Sequence, residues 1–494
     1  MAEVVVIDSG GRGNALAHLY ARSPSVDHVY VMPGNAGSSL LEKCEQVYIT
    51  EIGKMIEFIK DNDIDLVDVG PEGYLTRGLV DECHKVGIKR VLGQVRDAGI
   101  LETSKCWAKD FWKRHNILTP EYKNFSDSDE AKDYINEFYK ENPGENVVVK
   151  AGGICGGKGS IVCNNLEQAL YAVDRIMVNR EFDDVERGIA AGKQIVVEKR
   201  MYGHEIMFFV ATDGRGGIIL PIGTAMDFKR AFDPGDVWIG KYFDGNNPNT
   251  GGLISISPSP FEEQFKDRIM NEIAIPTLKK FQEETGHEYL GIGYFGVMLS
   301  QEDGKLVPRI EEFNRRWGDP ELEAVGPRIK TDYYTIADRI VERRLHEIKN
   351  IEFDPSLCYA LVALSGTLTI ERGSWDNPKI KIYRGYPKEH LTNQPIRGLR
   401  EVDPNVIIYH NGTAFRRDDQ NNPKSSHPER KDEDGNIHTT GGRVLTLVAK
   451  SDNLQDAKKI AEENMSKIFF RGIRYRKNIS EEETLIRSSD TKRL

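Results

Sequence analysis

Within its first hundred residues the chain repeats one pattern, a short apolar run that stops at glycine. Val4 to Ile7 meets Gly10, Gly11 and Gly13, Leu66 to Val69 meets Gly70-Pro71-Glu72, and Val91-Leu92 closes on Gly93, with Val29 to Met32 as a further run. After the first turn Ala15, Leu16, Leu19 and Tyr20 recur at helical spacing, and Met55 to Ile59 fits a second helix. Strands alternating with helices, with glycines at the strand carboxyl ends, predict an α/β domain on a doubly wound parallel sheet over residues 1–103. Ligands bind at such ends. The first turn, DSGGRGNAL, does not fit GxGxxG and no acidic residue clearly closes the second strand, so a nicotinamide site is not expected.

A chain of 494 residues is too long for one core, and domains of about 100 to 200 residues imply three or four units. Helical patterns around Ala131 to Tyr139 and Leu166 to Val178 flank a glycine-rich segment and delimit a small unit over residues 129–190. Apolar strands then run through Val196, Ile222, Gly252 to Ile256 and Tyr294 to Leu299, and a strand-rich region from about 357 makes a last domain. Residues 416–436 hold eleven charged side chains and no aliphatic or aromatic one, which predicts a solvated loop, with partner binding as the alternative. The net charge of −10 provides no overall basic field for nucleic acid. Cysteines 44, 83, 106, 155, 163 and 358 are scattered without a CxxC, which argues against zinc and against a disulfide framework. The start, MAEVVVIDSGG, has no basic n-region, and nowhere do 18 apolar residues run together, so a cytoplasmic protein with no membrane partner is expected.

Residues 147–160, VVVKAGGICGGKGS, end an apolar strand on Lys150 and then place five glycines and Lys158 within nine positions. Glycine lets backbone N–H groups close on an oxyanion, and a lysine at the strand end adds a point charge, so the segment suits a phosphate lid. It is not a P-loop, because Gly159 follows Lys158 and no capped helix begins there. A glycine-rich hairpin with a surface lysine is the plainer reading. Further on, Glu312 and Asn314 in IEEFN stand at i and i+2 of a strand, on one face, where two oxygen donors can hold a hard cation such as Mg²⁺. Solvated side chains are the alternative there, and Glu311 between them is expected to face the other way. In VVEKRMYGHE a strand and its turn can present backbone to an adenine edge, with Glu205 open to ribose hydroxyls.

The order of these pieces resembles the ATP-grasp superfamily, and within it the phosphoribosylamine–glycine ligase family of purine synthesis. The likeness runs through SGGRGNAL, MPGNAG, VGPE, LETSKCWAKDF, the glycine lid, VVEKRMYGHE, NPNTGG, SPSP, EEFNRRWGDPE, GGRVLTLV and FRGIRYRKNI, so it covers nearly the whole chain. It implies a multidomain α/β enzyme. The N-terminal domain would be 1–103, the central α+β domain 104–128 and 191–350, the lid 129–190 and the C-terminal strand-rich domain 351–494.

The resemblance also implies that ATP activates the carboxylate of glycine as an acyl phosphate, which the amine of 5-phosphoribosylamine attacks. Lys105, Lys150 and the lid at Gly156, Gly157, Lys158 and Gly159 would hold the triphosphate, Glu198, Met201 and Glu205 the adenosine, and Glu312 and Asn314 the magnesium, or manganese in its place. Asp227 and Lys229 in MDFKR would lie beside the amine, and Arg316 would hold the substrate carboxylate, unless it pairs with Asp319 or Glu321 instead. Gly11, Arg12, Gly34, Asn35, Pro71 and Glu72, with Asn249, Thr250 and Gly251, would line the sugar-phosphate cleft, a structural turn being the other reading of Gly34 and Asn35.

Three departures stand out. The family's GGREHAL appears as GGRGNAL, with Gly13 and Asn14 where Glu and His are usual; EEFL appears as EKRM; and QDHKR appears as MDFKR, with Phe228 in place of His. They leave open a ligase of the same mechanism acting on another amine or amino acid.

Overall fold

The computed structural model describes residues 1–156, 158–184, 190–215, 218–236, 239, 247–374, 377–415, 436–477 and 479. The predicted loop 416–436 therefore lies outside the described residues except for Asn436. The first sheet is parallel throughout. Its strands are β1 (Ala2–Asp8), β2 (Val26–Pro33), β3 (Cys44–Gln46), β4 (Leu66–Val69) and β5 (Val91–Leu92), in the order β3-β2-β1-β4-β5. Four of these match the apolar runs. β3 carries no apolar run, which is why the sequence pattern passes over it.

A four-stranded antiparallel sheet follows, from β6 (Tyr122–Phe125), β7 (Val147–Ala151), β8 (Ser160–Val162) and β9 (Ile195–Lys199), ordered β6-β9-β7-β8. The glycine-rich segment is the β7–β8 hairpin loop. Helices Ser128–Glu141 and Leu166–Val173 pack on this sheet through Ala131, Ile135, Ala169 and Val173 around Val149 and Val197. Asp127 starts the first of them by accepting from the backbone N–H groups of Asp129 and Glu130 at 2.9 and 3.0 Å, which satisfies two of its orphan donors.

The largest sheet is antiparallel and runs across two predicted domains. It contains β10 (Gly203–Asp213), β11 (Ile219–Asp227), β12 (Ile254–Ser257), β13 (Leu290–Glu302), β14 (Lys305–Asn314) and β15 (Leu357–Ser365). After the hairpin of β16 (Leu368–Ser374) with β17 (Asn377–Tyr383), it takes in β18 (Ile407–His410), passes over the β19 (Thr413–Phe415) and β20 (Ile437–Thr439) pair, and adds β21 (Arg443–Ser451) and β22 (Ile473–Arg474). β12 pairs directly with β15, so main-chain hydrogen bonds continue from the central region into the C-terminal one.

Both faces of this sheet are buried. Along β10, Ile206, Phe208 and Val210 enter one core while Met207, Phe209 and Ala211 enter the other, the period-two alternation of a strand with apolar residues on each side. The second core also contains Val4, Val6, Leu16 and Leu19 of the first sheet and its helix Gly11–Ala21, together with Trp317 just beyond β14. All six cysteines are free thiols. Among the described residues no helix is long and apolar enough to cross a membrane.

Candidate active site

Lys150, the last residue but one of β7, is almost fully buried, and its ammonium pairs with Glu198 of the neighbouring β9. The second oxygen of Glu198 lies 2.7 Å from Lys109 Nζ, which also donates to Thr119 Oγ1 at 2.9 Å. Burial alone would discharge all three groups. Instead the two lysines hold the Glu198 carboxyl below its ordinary range, and Glu198, with Glu311 and Glu312 beyond it, holds Lys150 above its own. Lys109 moves the other way, lowered by burial that Glu198 offsets only in part. Sequence reasoning assigned Glu198 to the nucleotide and gave Lys109 no role. The signal for Lys109 was its i+4 spacing from Lys105 on one helix face.

Lys105 opens the helix Lys105–Arg114, where Ser104 caps by accepting from the Trp107 N–H at 3.3 Å. Its Nζ donates to the Gly153 carbonyl at 3.0 Å, which ties it to the base of the glycine loop. The loop's glycines serve different ends. A Cβ at Gly159 would come 2.5 Å from Cys155 Sγ, so the hairpin itself demands glycine there, whereas Gly156 adopts φ +56° with open space around it. Gly157 lies outside the described residues. Lys158 does not join Lys150; its ammonium stands 5.8 Å from the centroid of the Tyr386 ring. Met201 sits in the short link between β9 and β10, the joint between the lid sheet and the large sheet.

Across from Lys150, β14 brings up Glu312 and Asn314. Burial would raise the Glu312 carboxyl, but Lys229, Lys105, Lys150 and Arg316 hold it at about 2, so it is ionised at neutral pH. Lys229 Nζ lies 3.7 Å from Glu312 and donates to Glu205 at 2.7 Å, so Glu205 meets a lysine where a ribose was expected. Asn314 Oδ1 accepts from Arg316 Nη2 at 3.4 Å.

Glu311 is a correction. The β13–β14 register passes from Gly296↔Glu312 to Val297↔Ile310, which makes Glu311 the extra residue of a bulge. A bulge breaks strict alternation and re-aims a side chain. Glu311 therefore joins the charges around Lys150 and Lys109 instead of facing away, and burial beside Glu205 and Glu198 pushes its carboxyl up to about 7 against the pull of Lys150.

Asp227 ends β11 with both carboxylate oxygens buried and without a hydrogen-bond partner. Burial first, and the nearby charge of Glu321 second, raise its carboxyl well above the ordinary value, against the pull of Lys229 and Arg443. A Cβ on Gly252 would come 2.8 Å from Asp227 Oδ1, so glycine leaves that side open to the carboxyl. Arg443 Nη1 braces this corner through the carbonyls of Gly251 and Asp319 at 2.9 and 2.6 Å and through Asp319 Oδ1 at 3.0 Å. Thr250 is buried, its hydroxyl donating to the Lys229 carbonyl at 2.8 Å, and Asn249 Nδ2 reaches the Ser160 carbonyl of the lid at 3.4 Å.

At the carboxyl edge of the first sheet, the predicted substrate groups are taken up by the protein. Arg12 Nε donates to Asp8 at 2.7 Å and Nη1 to the Trp317 carbonyl at 3.1 Å. Arg316 pairs with Glu72 at 3.2 Å and Glu102 at 3.5 Å, not with Asp319 or Glu321, and its Nη1 donates to the Trp317 carbonyl at 3.1 Å. Despite burial, these arginines bring Glu72 down to about 2. A Cβ on Gly11 would sit 2.3 Å from Glu323 Oε1 and 2.4 Å from Asn411 Nδ2. Asn35 Nδ2 donates to the His410 carbonyl at 2.6 Å, and Gly34, at φ +67°, donates its N–H to the Asp8 carbonyl at 3.0 Å. Pro71 stands just ahead of the short helix Glu72–Thr76. The unusual Asn14 has a structural use, because its Oδ1 accepts from the His410 N–H at 2.9 Å and so ties the first helix to β18. The unusual Gly13 leaves no room for a side chain, since a Cβ would come 2.5 Å from Asp8 Cβ.

Residues 2–102, 103–322 and 382–482 match, in that order, the N domain, the ATP-grasp (A) domain and the C domain of phosphoribosylglycinamide synthetase. The chain belongs to the phosphoribosylglycinamide synthetase family. Among its relatives, the phosphoribosylamine–glycine ligase of Archaeoglobus fulgidus is 39% identical across 97% of this chain and 98% of its own length. That of Caldanaerobacter subterraneus is 33% identical across 97% and 99%. The fold of this synthetase family recurs in the crystal structure of phosphoribosylamine–glycine ligase from Thermotoga maritima, with TM-score 0.72, 23% identity and coverage of 97% and 100%. A biotin carboxylase domain from Hydrogenobacter thermophilus, with TM-score 0.63, 14% identity and coverage of 96% and 91%, shares the architecture.

Proposed function

We propose that this chain is an ATP-dependent ligase joining glycine to 5-phosphoribosylamine, with glycinamide ribonucleotide, ADP and phosphate as products, in cytoplasmic purine synthesis. The observation that carries the reading is an ionised Glu312 next to Asn314 on one strand end, facing the lid's Lys150, in a chain that matches this synthetase family from end to end. Its working parts divide as the sequence suggests, into an N-terminal domain over 1–103, a central domain over 104–128 and 191–350, a lid over 129–190 and a strand-rich domain from 351.

Carboxylate and amide oxygens are donors for a hard cation, so Glu312 and Asn314 fit magnesium, and manganese takes the same ligands. Bound there, the ion would neutralise charge on the transferring phosphoryl group. Lys105 and Lys150 supply the opposing positive charge, and the open Gly156 turn lets the lid backbone close over the phosphates and keep water from the acyl phosphate. Arg316 is a positioning residue, since its Nη2 orients the Asn314 amide while Glu72 and Glu102 fix its guanidinium. Lys229 balances Glu205 and Glu312. Asp227, buried with neither carboxylate oxygen hydrogen-bonded, is placed to orient the incoming amine and, once ionised beside it, to accept the one proton the amine must lose before attack.

The test is ADP release measured with glycine and phosphoribosylamine together, with each omitted, and with other amino acids in place of glycine. Turnover is expected only with the complete pair. Release of ADP that does not depend on glycine would sink the assignment.

A further inference from the structure

Two groups singled out in the sequence, Lys158 and Asn249, do not gather with Lys150. They line a separate cavity of about 220 Å³ between the lid and the C-terminal region. β8 and the helix Leu166–Val173 form its lid wall, Arg175 follows that helix, Arg230 and Asn249 come from the segment after β11, and Arg384 and Lys388 come from the segment after β17. Neither Lys105, Lys150, Glu312 nor Asn314 lines it, so this volume is distinct from the triphosphate site proposed above. Its size far exceeds the roughly 10–15 Å³ that admits one water.

The charge balance of the walls is lopsided. Lys158, Arg175, Arg230, Arg384 and Lys388 line the cavity, and Glu181 is the one carboxylate among its described lining residues. That carboxylate is shared. Arg175 donates to it at 2.6 and 2.8 Å and Lys388 at 3.1 Å, and the two hold Glu181 at about 2. Arg384 has Glu389 at 3.7 Å on the exposed rim, and Arg230 donates to the Asn247 carbonyl at 2.7 Å. Five cations against one shared carboxylate leave the described lining of this concave volume net positive, which raises the potential there. The edge of the first sheet offers no such surplus among the described residues, because Arg12 is spent on Asp8, and Arg316 on Glu72 and Glu102. The Lys388–Glu181 pair already joins the C-terminal region to the lid across this volume.

We propose that the cavity is a second anion site, which takes a small phosphate ester and fastens the lid to the C-terminal region. The ester is either the phosphoribosyl substrate, in which case the assignment rests on the activity proposed above, or a separate phosphorylated molecule.

The test is calorimetric titration of the full chain with ribose 5-phosphate, and separately with MgATP, comparing wild type with an Arg384→Gln/Lys388→Gln double variant. Ribose 5-phosphate is expected to bind the wild type and to lose at least about tenfold in affinity in the double variant, the scale of losing charge-assisted hydrogen bonds. MgATP affinity is expected to hold within about twofold, below the weakest of those effects. An Arg384→Lys/Lys388→Arg variant keeps the charges and is expected to keep binding. Equal ribose 5-phosphate binding by wild type and double Gln variant, no binding at millimolar concentration, or equal losses for both ligands overturns the proposal. Steady-state kinetics then separates the sources. A raised KM for the phosphorylated amine alone identifies the substrate's phosphate, and an unchanged KM with lost ribose 5-phosphate binding identifies a separate ligand; either outcome supports the site.

Discussion

The cluster around Lys150 and the edge of the first sheet look alike in the sequence, each a strand ending in glycines beside charged residues, yet they are built differently. Around Lys150 the charges of Glu198 and Lys109 are buried and paired with one another, while Glu312 stays ionised with a third of its side chain exposed. At the first sheet the glycines meet protein, and Asp8, Glu72, Glu102 and Glu323 answer the arginines or crowd the glycines. A glycine at a strand end thus marks a close approach without saying what approaches. Ligand and side chain demand the same missing Cβ.

Lys150→Ala tests the comparison most severely, because the lysine supports the triad and, in the proposed function, also faces the phosphates. Loss of one partner strands Glu198 with Lys109 alone, and stability measured by urea unfolding is expected to fall by about 3–5 kcal/mol. At temperatures where the variant remains folded, kcat is expected to fall at least about a hundredfold. Glu312→Ala separates the two roles. The same loss of kcat is expected with a smaller loss of stability than in Lys150→Ala, since the side chain is partly exposed and its one ion pair among the described residues is to Lys229 at 3.7 Å. A variant of either residue with wild-type kcat would overturn the placement of the phosphates.

Gly11→Ala probes the other region. If the first-sheet glycines pack against protein, the added methyl displaces Glu323 and Asn411 and costs about 1–3 kcal/mol, read from the urea midpoint. Unchanged stability with a raised KM for the phosphorylated amine would instead return Gly11 to the substrate cleft. The smallest effect is expected from Glu311→Gln. The Glu311 carboxyl is raised from 4.5 to about 7 in the folded chain, so the folded state binds the extra proton, and stability falls as pH rises through that window. Replacement by Gln removes the penalty. The variant is expected to be more stable than wild type by about 1–2 kcal/mol at pH 8 and to approach it at about pH 4 in paired urea titrations, and the reverse order would show that the carboxylate is needed ionised.

Much of the fold was legible. Apolar runs and glycines announced four of the five first-sheet strands and the β7–β8 hairpin, and the hairpin's two flanking helices followed from periodicity. β3 did not, because three mixed residues carry no period. The grouping of the candidate residues was partly legible, and their pairing was not. Lys105, Lys150, Glu312 and Asn314 converge near the lid, but nothing local in the sequence shows that Glu198 lies between two lysines, that Arg316 is held by Glu72 and Glu102, or that Lys158 turns toward Tyr386. The Glu311 error has a single cause, since alternation along a strand holds only until a bulge inserts one residue.

Local pattern by itself determined which segments are strands and helices, where the chain turns, and which short runs carry donors for phosphate and metal, because backbone preference and side-chain period act over a few residues. Tertiary structure alone decided which charges neutralise one another, which glycines face protein and which face open space, and that five cations from three distant segments share one cavity. Those outcomes depend on Coulomb interaction and exclusion between residues tens to hundreds of positions apart, whose distances no stretch of sequence contains.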